Sequence, residues 1–113
     1  MGKASKLLTA PPFAVERALK ALGANLRTAR LRRKLTLEEV AQKVGASRRI
    51  LADVESGKPS TSIGMYVAAL WALGLLDQLA DVAEPTKDKE GLTLALSREN
   101  VKARKSAVLD NDF

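Results

Sequence analysis

Two arginines, Arg48 and Arg49, directly follow Ser47 and lead into Ile50-Leu51-Ala52-Asp53-Val54-Glu55. Ser47 is a good helix N-cap, so both arginines fall in the first turn of a short helix. The positive end of a helix dipole favours anions there. Cations placed against that preference need another reason, and the guanidinium supplies one. Its planar fork of donors matches the O6/N7 edge of guanine and the oxygens of a phosphate. Leu51 and Val54, three apart, share one face. Arg48, Arg49, Ala52 and Asp53 are left partly outward. Ile50 has two readings: packing on the neighbouring turn, or contact with a thymine methyl. Other chemistry is scarce. The chain has no His and no Cys, so the commonest general base and metal ligand, thiolate chemistry and disulfides are all missing. It also lacks a G-x-x-x-x-G-K loop. These absences argue against an enzyme, and no cofactor or metal is implied.

The elements that must position the arginines run from Thr36 to Gly57. Thr36 and Glu39 have the S/T-x-x-E form of a capping box, which starts a helix over roughly Leu37 to Val44. Val40, Ala41 and Val44 give it an apolar face. Gly45 sits where the turn needs positive φ. The second helix spans Ser47 to Ser56, and Gly57 closes it. Two helices joined by a turn of about four residues around a glycine match the helix-turn-helix motif.

The set Arg30, Thr36-Leu37-Glu38-Glu39-Val40-Ala41, Val44-Gly45, Ser47, Leu51, Val54-Glu55 and Gly57 resembles the DNA-binding domain of Xre- and Cro-type repressors. That pattern has an Arg before the first motif helix, an L-A-x-x-x-G-x-S core and an I-E-x-G ending; Val40-Ala41 and Val54-Glu55 stand in the first and last pairs here. The resemblance covers about half the chain, Leu22 to Leu76. It implies an all-α fold, a compact five-helix lambda-repressor-like helix-turn-helix domain, with a salt bridge between Arg30 and Glu55. It also implies a DNA-facing set of Thr36, Leu37, Lys43, Ser47, Arg48, Arg49, Asp53, Lys58 and Ser60. Leu37 departs from the Gln often found at its position: only its backbone N–H can reach a phosphate at that helix N-terminus.

The charge agrees with a polyanionic partner. The net charge is +6 over 113 residues. Residues 1–60 hold 13 Lys/Arg against 5 Asp/Glu, whereas residues 61–113 hold 6 against 8. A basic half beside a mildly acidic one is the footprint of a nucleic-acid binder with a separate partner surface. Hydrophobic residues make up 46% and aromatics 4%, so a single small core of Leu, Val and Ala is expected. No apolar run approaches the length of a membrane span, and the N-terminus is no convincing signal peptide. The expectation is a cytoplasmic protein.

Three regions are expected: an N-terminal arm over 1–11, the helix-turn-helix domain over 12–83, and a C-terminal linker and tail over 84–113. The arm is expected to be disordered or loosely attached, a plain floppy terminus rather than one that reaches a DNA groove with Lys3 and Lys6. Pro12 suits a first helical turn. Val15, Leu19, Leu22, Leu26 and Ala29 then form one stripe to about Arg33. Gly23 interrupts it, at about 1 kcal/mol relative to Ala, and suggests a kink or a later start. Ile63, Val67, Leu70 and Trp71 predict the stripe of a fourth helix, with Trp71 in the core or at a dimer interface. Leu75, Leu76, Leu79 and Val82 predict a short fifth. In the tail, Leu92-Thr93-Leu94-Ala95-Leu96 alternates, which suits a strand or extended arm, Ser97 to Lys105 is basic, and the end is acidic.

A repressor-like domain followed by a charged linker, a small apolar run and a basic stretch is similar to HipB-type antitoxins of type II toxin–antitoxin systems. That resemblance implies a homodimer that represses its own operon at an inverted-repeat operator in double-stranded DNA and binds a HipA-like kinase toxin. The alternative is a phage-type or metabolic regulator without a toxin. A purely protein-binding scaffold has no use for the clustered arginines.

Overall fold

The computed structural model describes residues 6–111, with side chains to 107. Its helices are α1 (Lys6–Thr9), α2 (Phe13–Arg32), α3 (Leu37–Val44), α4 (Arg48–Glu55), α5 (Ile63–Ala72) and α6 (Lys89–Asn111), with 3₁₀ helices at Leu76–Asp81 and Pro85–Lys87. No strand occurs among the described residues. Contacts divide the chain into one unit up to Leu79 and a second from Ala80 onward. Lys3 and the last two residues lie outside the described part.

In the first unit, the N-terminal arm is not wholly irregular: Lys6–Thr9 form one helical turn, closed by the Ala10 N–H donating to the Lys6 carbonyl. After Pro12, α2 runs for 20 residues. It buries Gly23, Leu26 and Ala29 and half-buries Leu19 and Leu22, while Val15 stays outside. The helix neither kinks nor starts late at Gly23. That position is a crossing point: a β-carbon there would stand 2.6 Å from the carbonyl oxygens of Val54 and Glu55, at the end of α4. Gly57, with φ +71°, presses against the α2 backbone at Leu19 in the same way. The two glycines let α2 and α4 meet backbone to backbone.

The α3–α4 turn forms as its residues dictate. Thr36 and Glu39 close a reciprocal capping box, Gly45 ends α3 in the left-handed region, and Ser47 caps α4. Leu51 and Val54 are sealed from solvent, at 1% and 0% exposure. Burying a side chain of this size contributes about 1.5–3 kcal/mol. With Leu26, Ala29, Val40, Ala41, Tyr66, Ala69, Ala72 and Leu73 they make the core.

α5 turns a different face inward from the one predicted. Tyr66, Ala69 and Ala72 are buried, whereas Ile63 is 76% and Trp71 51% exposed. The helix, IGMYVAALWA, is apolar almost all round, so its spacing carries no phase. Packing against α3 and α4 chooses the face. The Tyr66 hydroxyl then fixes it by donating to the Lys58 carbonyl at 2.9 Å. The short fifth helix exists as a 3₁₀ helix, Leu76–Asp81, with Leu75 and Leu79 half-buried and Val82 outside.

The second unit corrects the expectation of a strand or extended arm. Residues 92–96 lie inside α6, a helix of 23 residues. Asp88 accepts from the Gly91 N–H at 3.0 Å, and Thr93 donates to the Lys89 carbonyl one turn back at 2.9 Å. Leu, Ala, Arg, Glu and Lys are good helix formers. An unpaired strand would leave its peptide groups unmet, whereas a helix satisfies them internally. The period-two pattern of leucines was thus a misleading signal. Leu92, Leu94 and Leu96 stay about half exposed.

The Gly23 crossing makes a prediction opposite to helix propensity. Gly23→Ala should destabilise the domain by about 1–3 kcal/mol through overpacking, although Ala is the better helix former. Urea unfolding followed by circular dichroism checks the sign.

Candidate nucleic-acid interface

The site is built from the ends of α3 and α4 and the loop that follows. The two helix N-termini differ. At α3, Thr36 Oγ1 accepts from the Glu39 N–H and Glu39 Oε1 accepts from the Thr36 N–H, both at 3.0 Å. The Thr36 N–H first, and then the Thr36 hydroxyl, hold the Glu39 carboxyl below the usual glutamate range. With Glu38 alongside in the same first turn, this N-terminus already carries its anions. Leu37 packs against the core, leaving only its backbone to serve a phosphate.

At α4, Ser47 Oγ accepts from the Ile50 N–H at 3.2 Å, and the first turn holds no acidic residue. Arg48 and Arg49 are exposed there, and neither forms an ion pair among the described residues. Dipole and guanidinium charge therefore add, and this end of α4 has no internal counter-charge. Ile50 is 36% exposed and does not belong to the core.

Three contacts hold α4 in place. Arg30 reaches Glu55 with two arms, Nε to Oε2 at 2.6 Å and Nη2 to Oε1 at 3.0 Å, while Nη1 donates to the Leu35 carbonyl at 2.9 Å. Both side chains are only 11% exposed. The hydrogen bond to Glu55 raises the arginine pKa further, against the pull of burial. The glycine crossing with α2 is the second contact. The third is the loop after α4: Ser56 Oγ and the Lys58 N–H both donate to the Asp53 carbonyl, and Tyr66 holds the Lys58 carbonyl. Burial first, then the Asp53 charge, pushes the Tyr66 hydroxyl above its ordinary pKa, so it remains a donor at neutral pH.

The other expected site residues separate into two groups. Lys58 and Ser60 are exposed on the loop, with Lys58 Nζ 3.9 Å from the Asp53 carboxylate. Asp53 therefore faces a cation of its own chain. Lys43 is turned elsewhere: its ammonium donates to the Ala72 carbonyl at 3.1 Å and lies 5.6 Å from the centre of the Trp71 ring. It caps the C-terminus of α5, where a cation suits the dipole. Sequence reasoning missed Tyr66, although its spacing to Ala69 and Leu73 marks an inward face, and it missed the packing role of Gly23.

A core of four helices that offers one short, clamped helix with a cationic tip defines a helix-turn-helix DNA-binding module. Over residues 10–83 the chain matches the family model of the helix-turn-helix domain. The match spans more than half of the chain, and the protein belongs to that family, one of DNA-binding regulators. No curated protein and no solved structure matches the chain. No described helix is long and apolar enough to cross a membrane.

The clamp and the cap each generate a prediction. Glu55→Gln leaves the largely buried Arg30 side chain without its counter-charge and should cost about 3 kcal/mol, read as a lower urea midpoint. Glu39 titrates with a depressed pKa, so its stabilisation is full above the glutamate range and is lost as pH falls through the folded value. Glu39→Gln should therefore flatten the acid side of a plot of melting temperature against pH.

Proposed function

We propose that the protein is a sequence-specific transcriptional repressor that lays α4 in the major groove, with Arg48 and Arg49 as its reading residues. The observation that carries this is the exposed arginine pair, with no ion pair among the described residues, on a helix whose first turn holds no acidic residue. Ser47, Lys58, Ser60 and the backbone at Thr36 and Leu37 would hold phosphates, which sets the register while base contacts supply specificity. Lys43 ties α3 to the C-terminal end of α5 instead. Asp53 keeps Lys58 close to the loop.

The repressor acts as a homodimer on an inverted repeat. Support comes from α5, an apolar helix whose large apolar side chains Ile63 and Trp71 remain exposed. Two α4 helices would enter grooves about 34 Å apart or a multiple of it. A finer reading makes the protein the antitoxin of a HipA-like kinase toxin. It is supported by a distinct second unit carrying exposed Leu92, Leu94 and Leu96. The antitoxin resemblance rests on the order and composition of the tail; the alternative is a phage-type or metabolic regulator without a toxin. Purification from the native host decides: a co-purifying kinase-sized protein supports the antitoxin, and the repressor alone supports the alternative.

Replacing both Arg48 and Arg49 by Ala should abolish specific operator retention in a gel-shift assay while the melting temperature stays within a few degrees of wild type. Operator binding undiminished in that variant removes α4 from the reading role.

A further inference from the structure

The acidic balance of residues 61–113 conceals a second basic element. The acids gather at 77–90, ahead of and at the start of α6; from Lys89 to Ala107 the helix carries five basic residues against two acidic ones. Arg98, Lys102 and Lys105 follow at spacings of four and three, which aligns them on one face. They line a surface groove of about 350 Å³ with Ser97 and Val101, and no acidic side chain borders it. All three are exposed, and none forms an ion pair among the described residues.

We infer that this face of α6 is a second DNA contact, one that grips the phosphate backbone beside the site read by α4. The inference rests on the DNA-binding reading above. From Arg98 to Lys105 the helix rises about 10 Å, a length over which duplex DNA carries about six phosphates. Three unpaired cations over that span match a polyanion. The groove's one large apolar residue, Val101, offers little to a protein partner. Because α6 is joined to the helix-turn-helix unit, its encounter with flanking DNA is intramolecular once α4 has bound, so weak contacts add to affinity. Contacts of this kind carry no sequence information.

The test compares the full-length wild type with a triple variant, Arg98→Gln, Lys102→Gln and Lys105→Gln, on operator and random duplexes over a series of salt concentrations. Glutamine keeps the helix, which circular dichroism verifies. Each lost phosphate contact removes about 0.9 from the slope of log affinity against log salt, so a fall of about 2–3 is expected. Operator and random duplex should weaken by similar factors, leaving the specificity ratio unchanged. The charge-keeping variant Arg98→Lys, Lys102→Arg, Lys105→Arg should retain the wild-type slope. An unchanged slope in the glutamine variant, with wild type still binding DNA, overturns the inference and leaves the α4 reading intact; it is also the result if the stripe serves an acidic protein. A wild type that retains no duplex at low salt overturns both.

Discussion

The structure depends on how an eight-residue helix is held still. A helix as short as α4 is not stable by itself in water, yet the reading role proposed for it requires its tip to keep one position. The Arg30–Glu55 fork ties its C-terminal end to α2, with both charged groups nearly withdrawn from solvent. Arg30 spends its third donor on Leu35, in the link between α2 and α3. One side chain thus joins three segments. Gly23 and Gly57 complete the clamp by removing the β-carbons that would hold the helices apart. The polar fork gives direction and the glycine crossing gives distance. Neither supplies the other's constraint.

With α4 held from behind, electrostatics distinguishes its front from its neighbour. α3 and α4 begin with the same device, a hydroxyl accepting from the third N–H of the helix. α3 adds Glu38 and Glu39, which neutralise its positive end; α4 adds Arg48 and Arg49, which reinforce it. Two N-termini of like geometry therefore present opposite charge to an approaching polyanion. The arginines sacrifice some helix stability, and the core residues Leu51 and Val54, fully buried behind them, offset that cost.

Lys43 shows how one cation can leave such a surface and serve the scaffold. Its ammonium covers the exposed carbonyl end of α5 and rests beside Trp71. It thereby links the back of the helix-turn-helix to the helix with the largest exposed aromatic. Tyr66 makes the complementary link, from inside α5 to the loop carrying Lys58. α5 is thus tied at both ends, to α3 and to the loop after α4, so its orientation and theirs are not independent.

Much of the DNA-facing part was legible in the chain because its signals are local. A capping box, a left-handed glycine and an N-cap serine are decided within four residues, and α3 and α4 begin and end close to where those residues place them. The Arg30–Glu55 pair was legible only through family resemblance, since nothing local joins residues 25 apart. Three things belonged to tertiary structure alone. The buried face of α5 was open, because a helix apolar on every side has no phase until neighbours choose one. The purpose of Gly23 was hidden, because a missing β-carbon matters only when another backbone arrives. The state of residues 92–96 follows from there being no strand to join among the described residues: alternating leucines without a partner strand satisfy their peptide groups by coiling. The amino-acid order by itself determined where helices start and stop and where positive charge gathers; packing decided which faces meet and which cations remain free.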